Sequence, residues 1–291
     1  MKIFDCTTFF SEDMMMDLRF NVLNEHVHKF IVVESIFSHS GEKKKLNFDI
    51  NKYPKFKDKI IYLVIENEPQ NLIEAKSPAE KRSNSVKRIN QSYEYMEIGT
   101  SEAAEEDLII LSDNDEIPDL KSEQFKDSSK DLFIFEQLFF YYKFNLLYDL
   151  IPWFGSKACK KKKLKSFEWL RNIKNKKYPL WRLDTYFSEL KNTNLEIIND
   201  GGWHFTNIKS PLDLFIKMKN FGHHDEFDAS GLTLEAISQK IDNKLVFYNH
   251  FLDQSNQDKW NYDYKLKTID QKLLPKYLID NVDRYKEWFD L

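Results

Sequence analysis

The stretch Leu108-Ile-Ile-Leu-Ser-Asp113-Asn-Asp115-Glu116-Ile-Pro118 constrains the fold more than any other part of the chain. Four consecutive apolar residues, two of them β-branched, predict a strand buried on both faces. That strand runs straight into two carboxylates spaced i, i+2, then a third, then a proline that stops a strand. Acids crowded at the end of a buried strand repel one another and lose hydration, so they call for a positive partner. A divalent cation carrying a phosphorylated ligand fits that requirement best.

Other runs have the same form. Ile3-Phe4 ends at Asp5, Phe30–Val33 at Glu34, and Ile60–Ile65 at Glu66. If these strands are parallel with Leu108–Leu111, all four terminal acids share one edge, where ligands bind in open α/β sheets. Asp5 and Glu66 are expected to be solvated strand ends. Helices separate the strands. Ser11 opens one that runs to about Val27, with Met16, Phe20, Leu23 and Val27 on one face. Ser77-Pro-Ala-Glu80 is a capping box with proline at the first helical position, and Gly99 supplies the stop. The polar face of that second helix carries Lys81, Arg82, Lys87 and Arg88. It reads as solvated, with Arg82 or Arg88 facing a diphosphate as the alternative.

Strand and helix alternation predicts a doubly wound, Rossmann-like α/β sheet, mostly parallel and flanked by helices. After Pro118 the pattern changes to an aromatic strand region at Phe133–Tyr142, continued by Leu146–Trp153. Helices are expected at Ser210–Asn220, from Thr233, and over Pro275–Phe289. With only seven glycines and no linker-like segment, one continuous domain is expected over residues 1–230. Residues 231–291 form a helical extension packed on it.

Composition narrows the class. A net charge of −4 argues against nucleic acid as a partner. Two cysteines make no framework, and no apolar run reaches membrane-spanning length, so a cytoplasmic protein is expected. The lysine run Lys160–Lys163 with Lys165 reads as a solvated loop, with an anionic membrane surface or acidic glycan as its alternative contact.

Three clusters carry chemistry. Asp113-Asn-Asp115 offers hard oxygen ligands that reach one Mg²⁺ or Mn²⁺. His223-His224-Asp225-Glu226 offers a nitrogen ligand or acids. Gly201-Gly-Trp203-His204 offers a close backbone approach and an indole face for a sugar ring, or else a tight turn with a core tryptophan. A D-x-D after a strand also serves dehalogenase-type phosphatases, with the first Asp as nucleophile, but Ile117 stands where those have Thr or Val.

The sequence resembles family 17 glycosyltransferases, the group containing the β-1,4-mannosyl-glycoprotein β-1,4-N-acetylglucosaminyltransferases. The resemblance is carried by Phe4-Asp5, by Phe30-Ile-Val-Val-Glu34-Ser35 with Ser38-His39-Ser40-Gly41, and by Asp107–Pro118. It continues through Trp153-Phe-Gly155, Asp200-Gly-Gly202-Trp203-His204-Phe205 and His224-Asp-Glu226-Phe227. It implies a GT-A-like fold, a UDP-sugar donor with UDP-N-acetylglucosamine first, inversion at the anomeric carbon, and a glycan or polysaccharide acceptor. On that reading Asp115, Asp113 and His224 hold the metal, while Glu34, His39, Asp113, Arg82 and Arg88 line the donor. Trp203 and His204 meet the acceptor, and Glu226 or Asp200 is the general base. The rival readings are the metal-dependent phosphatase and a non-catalytic carbohydrate-binding protein.

Overall fold

In the computed structural model, which describes residues 1–220, 224–252, 257–260 and 262–291, the apolar runs of the first half become strands, buried at Ile3–Phe4, Phe30–Val33 and Leu108–Leu111 and half-buried along the edge run Ile60–Ile65. The chain runs β1 (Ile3–Thr8), α1 (Asp13–Leu23), β2 (Lys29–Ser35), β3 (Ile60–Ile65), α2 (Pro78–Gly99), β4 (Leu108–Leu111) and β5 (Glu116–Pro118). It continues through α3 (Glu123–Asp127), β6 (Leu132–Tyr141), β7 (Leu146–Leu147), β8 (Trp153–Lys160), α4 (Phe167–Asn172), β9 (Leu195–Ile198) and β10 (Gly202–Thr206). The last part holds α5 (Pro211–Asn220), α6 (His224–Ser230), α7 (Leu234–Asp242), β11 (Leu245–Val246), β12 (Tyr264–Lys265), β13 (Lys267–Thr268) and α8 (Lys276–Asp280).

The fold is α/β, with one large sheet flanked by helices. Strands β3, β2, β1 and β4 lie side by side in that order, all parallel. Strand β8 joins β4 antiparallel and carries the sheet to β6, which pairs in parallel with β9 and β10. Period-2 alternation sends Ile3, Phe30, Val32, Leu108 and Ile110 to one face, with α1 and α8. It sends Phe4, Cys6, Ile31, Val33, Ile109 and Leu111 to the other, with α2 and α4. Helices on both faces make the parallel part doubly wound, as expected. The order reverses between β1 and β4, and such a switch point opens a crevice at the carboxyl ends of the strands.

Local signals held where they were strong. Ser77 accepts from the Glu80 amide while the Glu80 carboxylate accepts from the Ser77 amide, completing the capping box. Gly99 is the last helical residue, and a Cβ there would come within 2.6 Å of Ile31 Cγ2, so it serves close packing rather than a left-handed stop. Ser11 does not cap α1; the helix starts at Asp13 after Glu12, whose side chain makes no cap bond. Strand β1 runs on to Thr8, because Cys6, Thr7 and Thr8 all suit a strand, so Asp5 is buried mid-strand instead of at its end. Leu146–Trp153 is a two-residue strand and a loop before β8 begins. The Pro275–Phe289 region splits into α8 and a 3₁₀ turn over Val282–Trp288. Beyond α7 the extension also contributes strands, and β13 pairs with β7 at the sheet's edge. Cys6 and Cys159 are both free and buried.

Candidate active site

The turn after β4 is built from below. Arg19 is fully buried on the apolar face of α1, and a buried guanidinium requires partners for its charge. Its Nε and Nη2 make a two-pronged bond to the Asp5 carboxylate. Its Nη1 donates to the Glu116 carbonyl at 2.6 Å and the Asp113 carbonyl at 3.3 Å, holding both ends of the turn. Glu116 closes the turn from within: its Oε2 accepts from the Asp113 amide at 3.0 Å, and its Oε1 accepts from Trp153 Nε1 at 2.8 Å. Burial first, then the Asp113 carboxylate, push the Glu116 carboxyl above its ordinary range despite Arg171 nearby. Asn114 Nδ2 donates to Glu12 Oε2 at 2.8 Å, which ties the turn to the β1–α1 loop across the switch point.

The two acids of the D-x-D face different surroundings. Asp113 is half exposed, and its Oδ2 accepts from Arg171 Nη2 at 2.8 Å. Arg171 Nη1 lies 3.6 Å from Glu116 Oε2, so one guanidinium faces both carboxylates. Asp115 is about one-fifth exposed, and its Oδ1 lies 3.6 Å from His204 Nε2. Burial alone would push the Asp115 carboxyl up, but the imidazole of His204 and the ammonium of Lys217 outweigh it and hold the group low. Asp115 and Asn114 form part of the wall of a cleft of about 520 Å³, shared with Glu12, Asp17, Lys209 and Lys217.

His204 is the buried partner on β10. Register sets it opposite Glu116 on β5 and Phe139 on β6. Its ring packs against both Trp153, centroids 4.3 Å apart, and Phe139, centroids 4.6 Å apart, and those two rings also touch each other at 4.8 Å. Among the described residues its Nδ1 is buried without a hydrogen-bond partner, and its Nε2 is turned toward Asp115. Strand alternation turns Trp203 the other way, where its Nε1 donates to the Leu273 carbonyl at 2.6 Å and its ring packs on the core. The indole that meets Glu116 at this turn is Trp153, while Trp203 packs as the core tryptophan of the alternative reading.

Several expected donor ligands are committed inside the fold. Glu34 is buried, and its Oε1 accepts from Lys44 Nζ and the Asn47 amide, while its Oε2 accepts from the Phe48 amide and Tyr62 hydroxyl. It fixes the 44–48 loop. Arg88 makes a two-pronged bond to Glu68 and donates to the His39 carbonyl. Its guanidinium lies against Gly41, at φ +95°, where an added Cβ would come within 2.3 Å of Nη2. Arg82 is exposed on α2. The His39 side chain is exposed on the loop after β2, where the charges of Asp113, Glu12 and Arg88 all act on it.

The general-base candidates lie apart from the turn or incompletely described. Asp200 sits at φ +47°, two residues before Gly202, which pairs with Pro118, whereas His204 meets Glu116 further along that strand. It lies at the other end of β5 from the D-x-D turn. Glu226 is on α6, which packs on α5 and sends Phe227 into the third apolar cluster. His224 opens α6, but its side chain lies outside the described residues, as does all of His223. Among the described residues, no three His, Cys, Asp or Glu side chains converge into a metal cage.

Arg19 and Arg171 were not singled out by the sequence as parts of this site, and Trp153 and Asn114 appeared only within their motifs, without a role at this turn. Of the two arginines Arg19 left a usable trace, as a lone cation inside the apolar set Met15, Met16, Leu18, Phe20 and Leu23. Two comparisons follow on this geometry. The model of Glycosyltransferase family 17 matches residues 1–163, a span that includes β1 through β8 and the whole Asp113–Asp115 turn. No curated protein matches the chain.

Proposed function

The chain belongs to glycosyltransferase family 17, and on that premise we propose that it moves a sugar from a nucleotide-sugar donor to a glycan with a divalent cation at the Asp113–Asp115 turn. Membership removes the phosphatase and the non-catalytic binding protein as readings. UDP-N-acetylglucosamine is the first donor to test, and Mn²⁺ or Mg²⁺ the cation. No helix among the described residues is long and apolar enough to cross a membrane.

The observation that carries this reading is the braced turn at the switch point between β1 and β4. Asp115 lines the cleft, and Asp113, two residues away on the same turn, keeps a half-exposed carboxylate. Two carboxylates without a protein cage suit a small hard cation that takes its remaining oxygens from water and substrate phosphates. When bound, the cation supplies positive charge against the departing nucleoside diphosphate. The chain's own residues do the rest. Arg19 and Glu116 fix the backbone of the turn, while His204 stands beside Asp115 and Arg171 beside Asp113. Glu226 and Asp200 are the two carboxylates proposed to take the acceptor proton, and comparing Glu226→Gln with Asp200→Asn at saturating donor separates them.

The test is a thermal-shift screen of nucleotide sugars with and without Mn²⁺. One UDP-sugar is expected to stabilise the chain only with metal, by about 2.7 kcal/mol at a hundredfold excess over its Kd. Asp115→Asn should remove the metal-dependent part. Equal stabilisation with and without Mn²⁺ would overturn the cation; a shift confined to another class of nucleotide would overturn the UDP donor.

A further inference from the structure

We propose that the segment between α4 and β9 is a docking surface for an anionic lipid bilayer. Five of the seventeen exposed large apolar side chains among the described residues fall within residues 180–187. These are Leu180, Trp181, Leu183, Tyr186 and Phe187, each between 72 and 90% exposed. Five exposed large apolar side chains within eight residues cost free energy in water and mark a contact surface.

The group is displayed, not collapsed, because its backbone is braced. Arg182 and Lys191 both pair with Asp184. Thr185 is buried, and its hydroxyl donates to the Arg182 carbonyl. The segment's ends are pinned by the Lys174 amide on the Leu190 carbonyl and by Trp169 Nε1 on the Glu189 carbonyl. The polar groups of the segment thus close on one another and leave the five apolar side chains on the outside.

The charge around them selects the occupant. Residues 160–182 carry ten basic side chains and one acid, in a chain whose net charge is −4. Some of these are neutralised locally: Lys160 and Lys162 by Glu106, Lys165 by Glu189, and Lys177 by Glu196. Lys163, Lys174 and Lys176 are exposed and enter none of these pairs. Lys163, Lys165 and Tyr186 border one shallow hollow, which puts the lysine run beside the apolar tip. Trp, Tyr, Phe and Leu flanked by unpaired lysines match the boundary between acyl chains and acidic headgroups. A protein partner would instead require a shaped surface with charge depleted at its centre.

Docking would bring the bilayer close to the turn described above. Lys174 is three residues from Arg171, at most about 11 Å of chain, and Arg171 contacts Asp113. The docking surface does not depend on the identity of the donor or on the cation.

The experiment is co-sedimentation of the full chain with phosphatidylcholine vesicles and with vesicles of three parts phosphatidylcholine to one part phosphatidylglycerol. Binding is expected to the anionic vesicles only, and to weaken with salt. Lys174→Gln/Lys176→Gln should lower the partition about 25-fold, at about fivefold per lysine. Trp181→Ser/Phe187→Ser should lower it at least tenfold, and the wild-type tryptophan emission should shift blue only on the anionic vesicles, a shift the variant loses. Both variants should keep the wild-type circular dichroism and melting temperature, because the altered side chains are exposed. Equal binding to neutral and anionic vesicles, or unchanged binding of either variant, would overturn the proposal. So would a wild-type dimer, seen by light scattering, that Trp181→Ser/Phe187→Ser converts to a monomer while the vesicles bind neither form.

Discussion

The parallel half of the sheet and the mixed half use their charged residues in opposite ways. In the parallel half three charged groups are consumed inside the fold: Asp5, mid-strand, by Arg19; Glu34, at the carboxyl edge, by Lys44, Tyr62 and two amides; and Arg88, on α2, by Glu68. At the turn after β4, where the mixed half meets the parallel one, polar groups keep unused capacity. His204 retains a buried Nδ1 without a partner among the described residues, and Asp113 stays half exposed beside Arg171. Position at a sheet's carboxyl edge therefore does not make an acid a ligand. What decides is how many of its lone pairs the fold already occupies.

The sharpest way to break that comparison is Arg19→Met. It leaves Asp5 buried and charged and releases both carbonyls of the turn, so the cost should be about 3–5 kcal/mol in urea unfolding. Adding Asp5→Leu should recover most of it, because the uncompensated charge is then gone. A single-variant cost under 1 kcal/mol would show that the pair does not hold this half together. Glu34→Gln comes next, at about 2–3 kcal/mol, since it leaves Lys44 without its counter-charge and weakens four hydrogen bonds. Donor KM should not move in that variant. A raised KM at unchanged stability would return Glu34 to the donor.

The mixed half should also be the pH-sensitive half. Burial first, then the charges of His204 and Lys259, push His250 down to about 3, and its Nε2 meets the Tyr141 hydroxyl at 2.6 Å. An unfolded chain takes up that proton near pH 6.5, whereas the folded chain refuses it until about pH 3. The stability tied to neutral His250 is thus complete above pH 6.5 and is lost as pH falls toward 3. At pH 5 the loss relative to pH 7 should be about 2 kcal/mol. His250→Gln should flatten the curve by that amount in urea melts at the two pH values, whereas an equal pH slope in wild type and variant would refute the assignment.

The same division explains what was legible in the sequence. The strand Leu108–Leu111, the acids after it and the capped helix from Ser77 could all be read, because each is a local pattern with a local cause. The end of β1 could not: Cys6-Thr-Thr8 is as compatible with a strand as with a loop, and only pairing with β2 settles it. Which of two neighbours on β10 faces the site depends on register with β5 and β6, so Trp203 and His204 could not be separated by type. Arg171 sits on a six-residue helix, too short for a periodic signal, and reaches Asp113 across fifty-eight positions of chain. Contacts of that length leave no mark in either neighbourhood.

The smallest stability effect should belong to the residue with the most exposed chemistry. Asp113→Asn removes a carboxylate that is half in water and paired with a guanidinium one-third exposed, a setting in which ion pairs contribute within about 1 kcal/mol. The turn itself should survive, because Glu116 binds the Asp113 amide and Arg19 the Asp113 carbonyl, and neither contact uses the side chain that changes. If Asp113 serves a ligand, transfer should fall by about 10²-fold or more while the melting curve barely moves. If Asp113 serves only Arg171, Arg171→Ala should reproduce every property of Asp113→Asn, including Mn²⁺ affinity measured by titration calorimetry. The two variants should instead diverge: Asp113→Asn should weaken Mn²⁺ binding, whereas Arg171→Ala, which removes a competing cation from the same carboxylate, should leave it equal or tighter.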